Sequence, residues 1–316
     1  MLYFNLNGVI GEKTNDQSFY KNVIGEYCSP LTDYTYQFER SLINLEHLIQ
    51  KNVYGTMEAY WDVSRVLYPL QEIGLSSESK FSVNDFESLV NAKLPESTFK
   101  YLYLNEIGYL ISNVQSVVNS ILQVLGSFFE EFNDQLLAVL PVDGYRVVSS
   151  PRITALISKL NSVIISLGSL LDYAAKLVYE VENLRVSFSS YQKLECYKHD
   201  IKHGKRKLLR LNELSGSLFE SESSSLTFLK EMRNKIIHDG FLDVNPQVYE
   251  LRENGELKER FILLPDLNSS GKFEKHGSRS NFYSHETKLN IEIINLVKEI
   301  FERFGKTVEE LLKLVK

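Results

Sequence analysis

Arginine, asparagine and histidine side chains occur within six residues of one another in the stretch 231–240. Apolar residues at helical spacing predict a helix that ends at Gly240, a residue that readily adopts the left-handed conformation of a helix C-cap. Its expected core-facing residues are Leu226, Leu229, Ile236 and Ile237. Arg233 falls inside this stripe, where a guanidinium is costly unless it is paired or faces a wet cleft. His238 lies in the last turn, where the helix dipole favours the imidazolium, so it suits proton transfer near neutral pH.

The order Arg233-Asn234-x-x-x-His238 resembles the R-N-x-x-x-H signature of the HEPN superfamily, the higher eukaryotes and prokaryotes nucleotide-binding domains. The resemblance implies an all-α bundle with metal-independent, cofactor-free endoribonuclease activity, as found in toxins and antiviral-defence effectors. It implies that His238 assists proton transfer at the ribose 2′-OH, that Arg233 holds the attacked phosphate, and that Asn234 orients the phosphate or His238. It further implies RNA as the substrate and a homodimer built through residues 151–316, in which two motifs face one cleft.

Two acidic residues are expected to support this site. Asp172, on a long upstream helix, is the acid that we expect to pair with Arg233, and Asp239 directly follows the histidine. One subgroup of the family, toxins silenced by AMP transfer from a partner nucleotidyltransferase, carries a tyrosine two residues after the histidine. Gly240 occupies that position here, which argues against this mode of regulation, although an antitoxin or defence partner protein is still expected.

The most basic window of the chain is 198–210, with six Lys and Arg residues against one Asp. The net charge of the whole chain is −6, but residues 1–150 carry −9 and residues 151–316 carry +3. A phosphate-binding surface is therefore expected in the second half. The alternative is a solvated charged face. The predicted RNA-binding residues are Lys202, Lys205, Arg206, Lys207 and Arg210.

The same window contains His199-Asp200-x-x-His203, which is similar to the zinc motif H-E-x-x-H with Asp replacing Glu. Two histidines four residues apart on a helix can share one zinc ion. Asp is one methylene shorter than the usual base, and Gly204 interrupts the helix at once. No third ligand is evident, so no metal site is predicted.

Hydrophobic periodicity predicts an all-α fold with one small insertion. We expect an acidic helical domain over residues 1–145 and a HEPN-like helical bundle over 150–316. Asn254-Gly255 predicts a β-hairpin inserted at about 248–264. The stretch between Glu106 and Glu130 lacks charge, but its polar residues favour a buried bundle helix over a membrane span. The predicted helices cover about 34–68, 83–92, 106–130, 153–184, 191–214, 223–240 and 287–315, and residues 266–285 are expected to form a mobile loop.

Other functional classes find little support. The chain contains no P-loop, no dinucleotide-binding glycine motif and no serine-hydrolase elbow. Two cysteines and the lack of a signal-peptide pattern are compatible with a reducing cytoplasm. Two alternatives to the nuclease remain: a catalytically inactive HEPN-like module that binds a nucleotide or a partner, and an all-α interaction protein in which Arg233 and His238 are purely structural.

Overall fold

The computed structural model describes residues 2–4, 10–13, 20–22, 29–134, 143–221, 223–240, 242–243 and 245–316. The described chain is mainly helical, with two small antiparallel sheets. Its helices are α1 (Ser29–Tyr54), α2 (Met57–Leu67), α3 (Val83–Asn91), α4 (Glu96–Asp134), α5 (Pro151–Glu182), α6 (Glu195–Lys198), α7 (Ser224–Asp239) and α8 (Leu289–Val315). Its strands are β1 (Leu2–Phe4), β2 (Ile10–Lys13), β3 (Tyr20–Asn22), β4 (Gly144–Val148), β5 (Val248–Glu253) and β6 (Glu256–Phe261).

The chain divides into two compact units, each assembled from three stretches. The first unit comprises Met1–Tyr36, Val117–Ser169 and Glu220–Arg303, and the second unit comprises Gln37–Ser116, Leu170–Phe219 and Phe304–Lys316. Helices α1, α4, α5 and α8 therefore each contribute one part to each unit. The predicted domains, 1–145 and 150–316, remain a prediction about sequence organisation.

The first unit contains α7 and the sheet β4-β5-β6. The predicted hairpin is confirmed: Asn254 (φ 52°) and Gly255 (φ 79°) both adopt positive φ, as a type I′ turn requires. The third strand, β4, pairs antiparallel with β5 and was not predicted. The Asp143 carboxylate, just before β4, accepts hydrogen bonds from the backbone N–H groups of Asn254 (3.0 Å) and Gly255 (2.8 Å). This contact fixes the hairpin turn against the start of the added strand.

The inner face of this sheet carries charge. Glu250, on β5, is fully buried. Its carboxylate lies 2.7 Å from Arg260, the paired residue on β6, and 3.3 Å from Arg252, two residues further along β5. Arg260 also donates to the carbonyl of Phe132, near the C-terminus of α4. Buried charges need such pairing, because an isolated charge in the interior is strongly destabilising.

The second unit departs from the predicted helices at two points. The predicted helix 34–68 is interrupted at Gly55 (φ 85°), and α2 begins anew with Thr56 as its N-cap. The predicted helix 191–214 is wrong: the structure has the four-residue α6 and a 3-10 turn at His203–Leu208. Two buried carboxylates accept hydrogen bonds from the backbone in this segment. Glu180 accepts from the Cys196 N–H, and Glu182 accepts from the N–H groups of residues 210 and 211. These bonds stabilise an irregular path that a sequence pattern does not reveal.

The long apolar helices are confirmed. Every third or fourth residue of α4 and α5 is buried, and α4 includes the uncharged stretch that was expected to be a bundle helix. Among the described residues, α5 is the one helix long and apolar enough to cross a membrane by length and composition, and 56% of its most apolar window is buried. A mostly buried core helix of a water-soluble protein has the same composition.

Candidate functional site

Helix α7 carries the motif and has well-defined ends. Ser223 is its N-cap, and the Ser223 side chain accepts a hydrogen bond from the Leu226 N–H (3.3 Å). The helix ends at Gly240, whose φ of 86° and N–H bond to the Ile236 carbonyl (2.9 Å) form the predicted left-handed cap. The last turn before this cap contains His238.

The buried face of α7 differs slightly from the predicted one. Leu229, Met232 and Ile236 are almost fully buried, whereas Ile237 is 53% exposed. Ile237 follows Ile236 by one residue, a rotation of about 100°, which moves it from the core face to the flank. The assignment of Ile237 to the core was therefore wrong.

Arg233 packs against α5 through a glycine. An ideal Cβ at Gly168 would lie 2.4 Å from Arg233 Cδ and 2.6 Å from Arg233 Nε. Both distances are far below van der Waals contact, so any larger residue at this position would displace the arginine. Arg233 is half-buried, and its Nε is fully shielded from solvent. The Arg233 side chain therefore occupies space that is free only because residue 168 is glycine.

Gly168 was missed by the sequence reasoning. Glycine inside a helix costs roughly 1 kcal/mol relative to alanine, so an isolated glycine in an apolar helical stretch indicates a packing or functional demand. That signal was present, because Gly168 lies in the middle of the most regular apolar stripe of the chain.

His238 is exposed, and its imidazole makes no hydrogen bond or ion pair with any described residue. Asn234 and Asp239 are also exposed, and Asp239 lies 3.8 Å from the Lys235 ammonium. Arg233 and His238 do not form a direct pair. Their helical positions place them about 7.5 Å apart along the axis and roughly 140° apart around it. An extended ligand along the flank of α7 would be needed to contact both.

Residues 266–285, predicted to be a loop, contribute polar contacts along α7. The Lys235 ammonium donates to the Ser280 hydroxyl (2.8 Å) and to the side-chain amide oxygen of Asn281 (2.7 Å). It also lies 5.6 Å from the centre of the Phe273 ring. These contacts fix one cation two residues from Arg233, a feature that the sequence did not predict.

The base of the same loop is closed by one carboxylate. Asp266 accepts hydrogen bonds from the Ser284 N–H (2.6 Å), the Ser284 hydroxyl (2.7 Å) and the His285 N–H (3.0 Å). Desolvation opposes ionisation of Asp266, but these hydrogen bonds outweigh it and hold the pKa below its usual value. The loop is therefore tied at both ends by charge-assisted hydrogen bonds.

The expected supporting acid belongs to the second unit. Asp172 is half-buried and accepts a hydrogen bond from the His203 backbone N–H (3.0 Å). This contact positions the start of the 3-10 turn. Because Arg233 belongs to the first unit, its pairing with Asp172 remains a prediction.

The basic window also lies in the second unit, and part of its charge is neutralised locally. Asp200 lies 3.2 Å from the Lys202 ammonium and 3.6 Å from that of Lys205. Lys205 additionally donates to the His199 carbonyl (2.9 Å). Arg206 is half-buried, and the two other predicted RNA-binding residues are the exposed Lys207 and Arg210. RNA binding by this window remains a prediction.

The His199 and His203 side chains do not share a helix face. Helix α6 ends at Lys198, and Asp200 adopts a positive φ of 47°, so the chain turns between the two histidines. His203 is buried, with its Nε2 2.7 Å from the Leu218 carbonyl and its ring stacked on Phe219. His199 is exposed. The described residues contain no group of three or more His, Cys, Asp or Glu side chains placed to hold a metal ion.

Comparison of the chain with models of protein families, with curated proteins and with solved structures found no match. The resemblance to the HEPN superfamily therefore rests on the sequence motif Arg233-Asn234-x-x-x-His238 and remains a prediction.

Proposed function

We propose that this chain is a metal-independent endoribonuclease of the HEPN type, built on a HEPN-like helical bundle and acting as a toxin or an antiviral-defence effector. The observation that carries the proposal is the state of His238. A purely structural histidine at a helix end is expected to be packed or paired, whereas this imidazole is exposed and makes no polar contact with the described residues. It is available to a ligand.

The reaction assigned to the site is an internal transesterification. The ribose 2′-OH attacks the adjacent phosphorus, the P–O5′ bond breaks, and a 2′,3′-cyclic phosphate forms. His238 takes the proton from the 2′-OH or gives one to the leaving 5′-oxygen. Arg233 stabilises the extra negative charge on the phosphate oxygens through charge-assisted hydrogen bonds. Asn234, exposed one residue further along, orients the phosphate or the imidazole.

A second acid–base group is needed, since one histidine cannot serve both oxygens at once. We place it in a second copy of the chain, so that two motifs face one cleft. Two exposed aliphatic side chains support such an interface: Ile237 on α7 is 53% exposed and Ile165 on α5 is 40% exposed. They lie within one turn of Arg233 and Gly168, respectively, which are in contact. Apolar surface around a polar motif is typical of an association site.

The partners assigned by this proposal are RNA, a second copy of the chain, and an antitoxin or defence partner protein that restrains the nuclease. We place its action in the cytoplasm. The basic window 198–210 is proposed to bind the RNA backbone away from the cleavage point. Residues 1–150 carry a net charge of −9, which disfavours binding of RNA to that half of the chain.

RNA cleavage by purified protein in EDTA tests the proposal. His238→Ala should reduce the rate about 100- to 10,000-fold, as expected for loss of a general acid or base. Arg233→Ala should reduce it by about 100-fold or more. His47→Ala and Arg65→Ala, which alter exposed residues on α1 and α2, should leave it unchanged. Equal activity in all five proteins would identify a contaminant and refute the nuclease; RNA binding without cleavage would favour the inactive binding module.

A further inference from the structure

The second unit contains a cavity of about 260 Å³ that plays no part in the proposed nuclease site. It lies among the turn after α2, the N-terminal part of α3 and the first half of α4, with Tyr191 closing one side. Every residue that lines it belongs to the second unit. Its volume suits a small organic molecule of one or two rings.

Aromatic side chains form one wall of this cavity. The rings of Phe86 and Tyr191 meet edge to face, with their centroids 5.3 Å apart. Phe81, 43% exposed, and Val83, 73% exposed, lie at its mouth. Exposed apolar side chains at the mouth of a concave site are what an aromatic ligand would cover.

The Glu106 side chain, on α4, adds a carboxylate to the lining of the cavity. Tyr191 donates its hydroxyl proton to Glu106 Oε1, and no described residue donates to the other carboxylate oxygen, Oε2. The cavity thus offers a hydrogen-bond acceptor, Glu106 Oε2, beside its aromatic wall.

Burial raises the pKa of Glu106, and Glu180 raises it further, whereas the Tyr191 hydrogen bond and Arg185 lower it. Burial therefore leaves the Glu106 carboxylate incompletely solvated. A ligand N–H group would supply a further hydrogen bond to Oε2.

We propose that this cavity binds a planar lactam heterocycle of the nucleobase class, with guanine as the best match. The ring lies against Phe86 and Tyr191, and its N–H edge donates to Glu106. Guanine presents two neighbouring N–H donors beside one carbonyl oxygen. Adenine lacks this edge, because its ring nitrogen is an acceptor and its exocyclic group is a donor.

Calorimetric titration of the full-length chain with guanosine, inosine and adenosine tests the assignment. Guanosine should bind most tightly, inosine more weakly because it lacks the exocyclic amine, and adenosine at least about 10-fold more weakly than guanosine. Glu106→Ala should weaken guanosine binding by about 10- to 100-fold, as expected for loss of hydrogen bonds to a charged group. Phe86→Ala should weaken binding of guanosine and inosine alike. Glu87→Ala, which alters an exposed acid on α3, should change neither.

Four results would overturn the proposal. The first is equal binding of adenosine and guanosine, and the second is absence of guanosine binding by the folded wild-type chain. The third is unchanged guanosine binding by folded Glu106→Ala. The fourth is tighter binding of tetramethylammonium than of guanosine, which would identify the site as an aromatic cage for cations. Circular dichroism and thermal melting establish that each variant is folded. The calorimetric titration measures guanosine binding and involves no RNA cleavage, so its outcome does not depend on whether the nuclease proposal is correct.

Discussion

At the scale of single residues, the contact between Gly168 and Arg233 links α5 and α7 within the first unit. A glycine in the middle of α5 weakens that helix, so its presence indicates that the space above it is needed. The arginine side chain occupies that space, and a Cβ would lie 2.4 Å from its Cδ. The position of the guanidinium is therefore sensitive to a single methyl group.

Gly168→Ala is expected to displace Arg233 while leaving the protein folded. Better helix propensity, worth about 1 kcal/mol, offsets the strain of moving a long and flexible side chain. RNA cleavage should fall about 10- to 100-fold, because a small misplacement of a charged group weakens transition-state stabilisation. Cleavage rates and thermal melting of Gly168→Ala and of Ser169→Ala, the control one residue further along α5, provide the measurement. Full activity in Gly168→Ala would show that the placement of Arg233 is irrelevant to the reaction.

Glu106 gives a prediction with a defined pH dependence. Its pKa is raised by burial in the folded chain, so below about pH 4.5 the folded and unfolded states are both protonated and burial costs little. As the pH rises through the folded pKa, the unfolded chain ionises more readily and the folded state loses relative stability. Glu106→Gln, which keeps an acceptor for Tyr191, should raise the free energy of unfolding more at pH 7 than at pH 4. Denaturant titrations at both pH values test this, and an equal effect at both would contradict it.

At the scale of elements, the periodic helices were predictable and the irregular segments were not. The periodic helix α5 and the C-cap Gly240 of α7 are local signals, and both were confirmed. The strand β4 and the irregular path after α5 depend on partners distant in sequence, such as β5 for the strand and Glu182 for residues 210 and 211. For the same reason the motif was found in the sequence, but Gly168 and the Lys235 contacts were not.

The C-cap of α7 is expected to control the last turn of that helix. Gly240→Ala would place a Cβ in the left-handed region and should lower the free energy of unfolding by about 1 kcal/mol. Gly204→Ala is the matched control, since an added Cβ there meets no atom within 4 Å and its φ is not in the left-handed region. Denaturant titration of both variants provides the measurement. Equal effects of the two changes would argue against a capping role for Gly240.

At the scale of the whole molecule, charge is unevenly distributed along the chain. The acidic half and the slightly basic half differ by 12 in net charge, −9 against +3. The exposed aliphatic residues Ile165 and Ile237 lie within one helical turn of Gly168 and Arg233, which are in contact. This arrangement supports the proposed association of two copies around the motif.

Ile237→Glu is expected to dissociate the proposed dimer, because it places a charge in an apolar interface. Val66→Glu, on a side chain that is 74% exposed in the second unit, is the control and should leave association intact. Sedimentation or light scattering measures the mass of each variant, and the cleavage rate of Ile237→Glu should fall with its dimer content. A monomeric wild-type chain that cleaves RNA would refute the shared site.

The most direct test of the ribonuclease proposal is the chemistry of its products. Purified wild-type protein in excess EDTA is incubated with an RNA of defined sequence, and with the same RNA carrying a single 2′-deoxyribose at the mapped cleavage position. The proposed reaction predicts cleavage of the first RNA to a 2′,3′-cyclic phosphate and a 5′-hydroxyl, no cleavage of the substituted bond, and loss of both products in His238→Ala. Cleavage of the substituted bond, or products that end in a 5′-phosphate, would contradict attack by the 2′-OH.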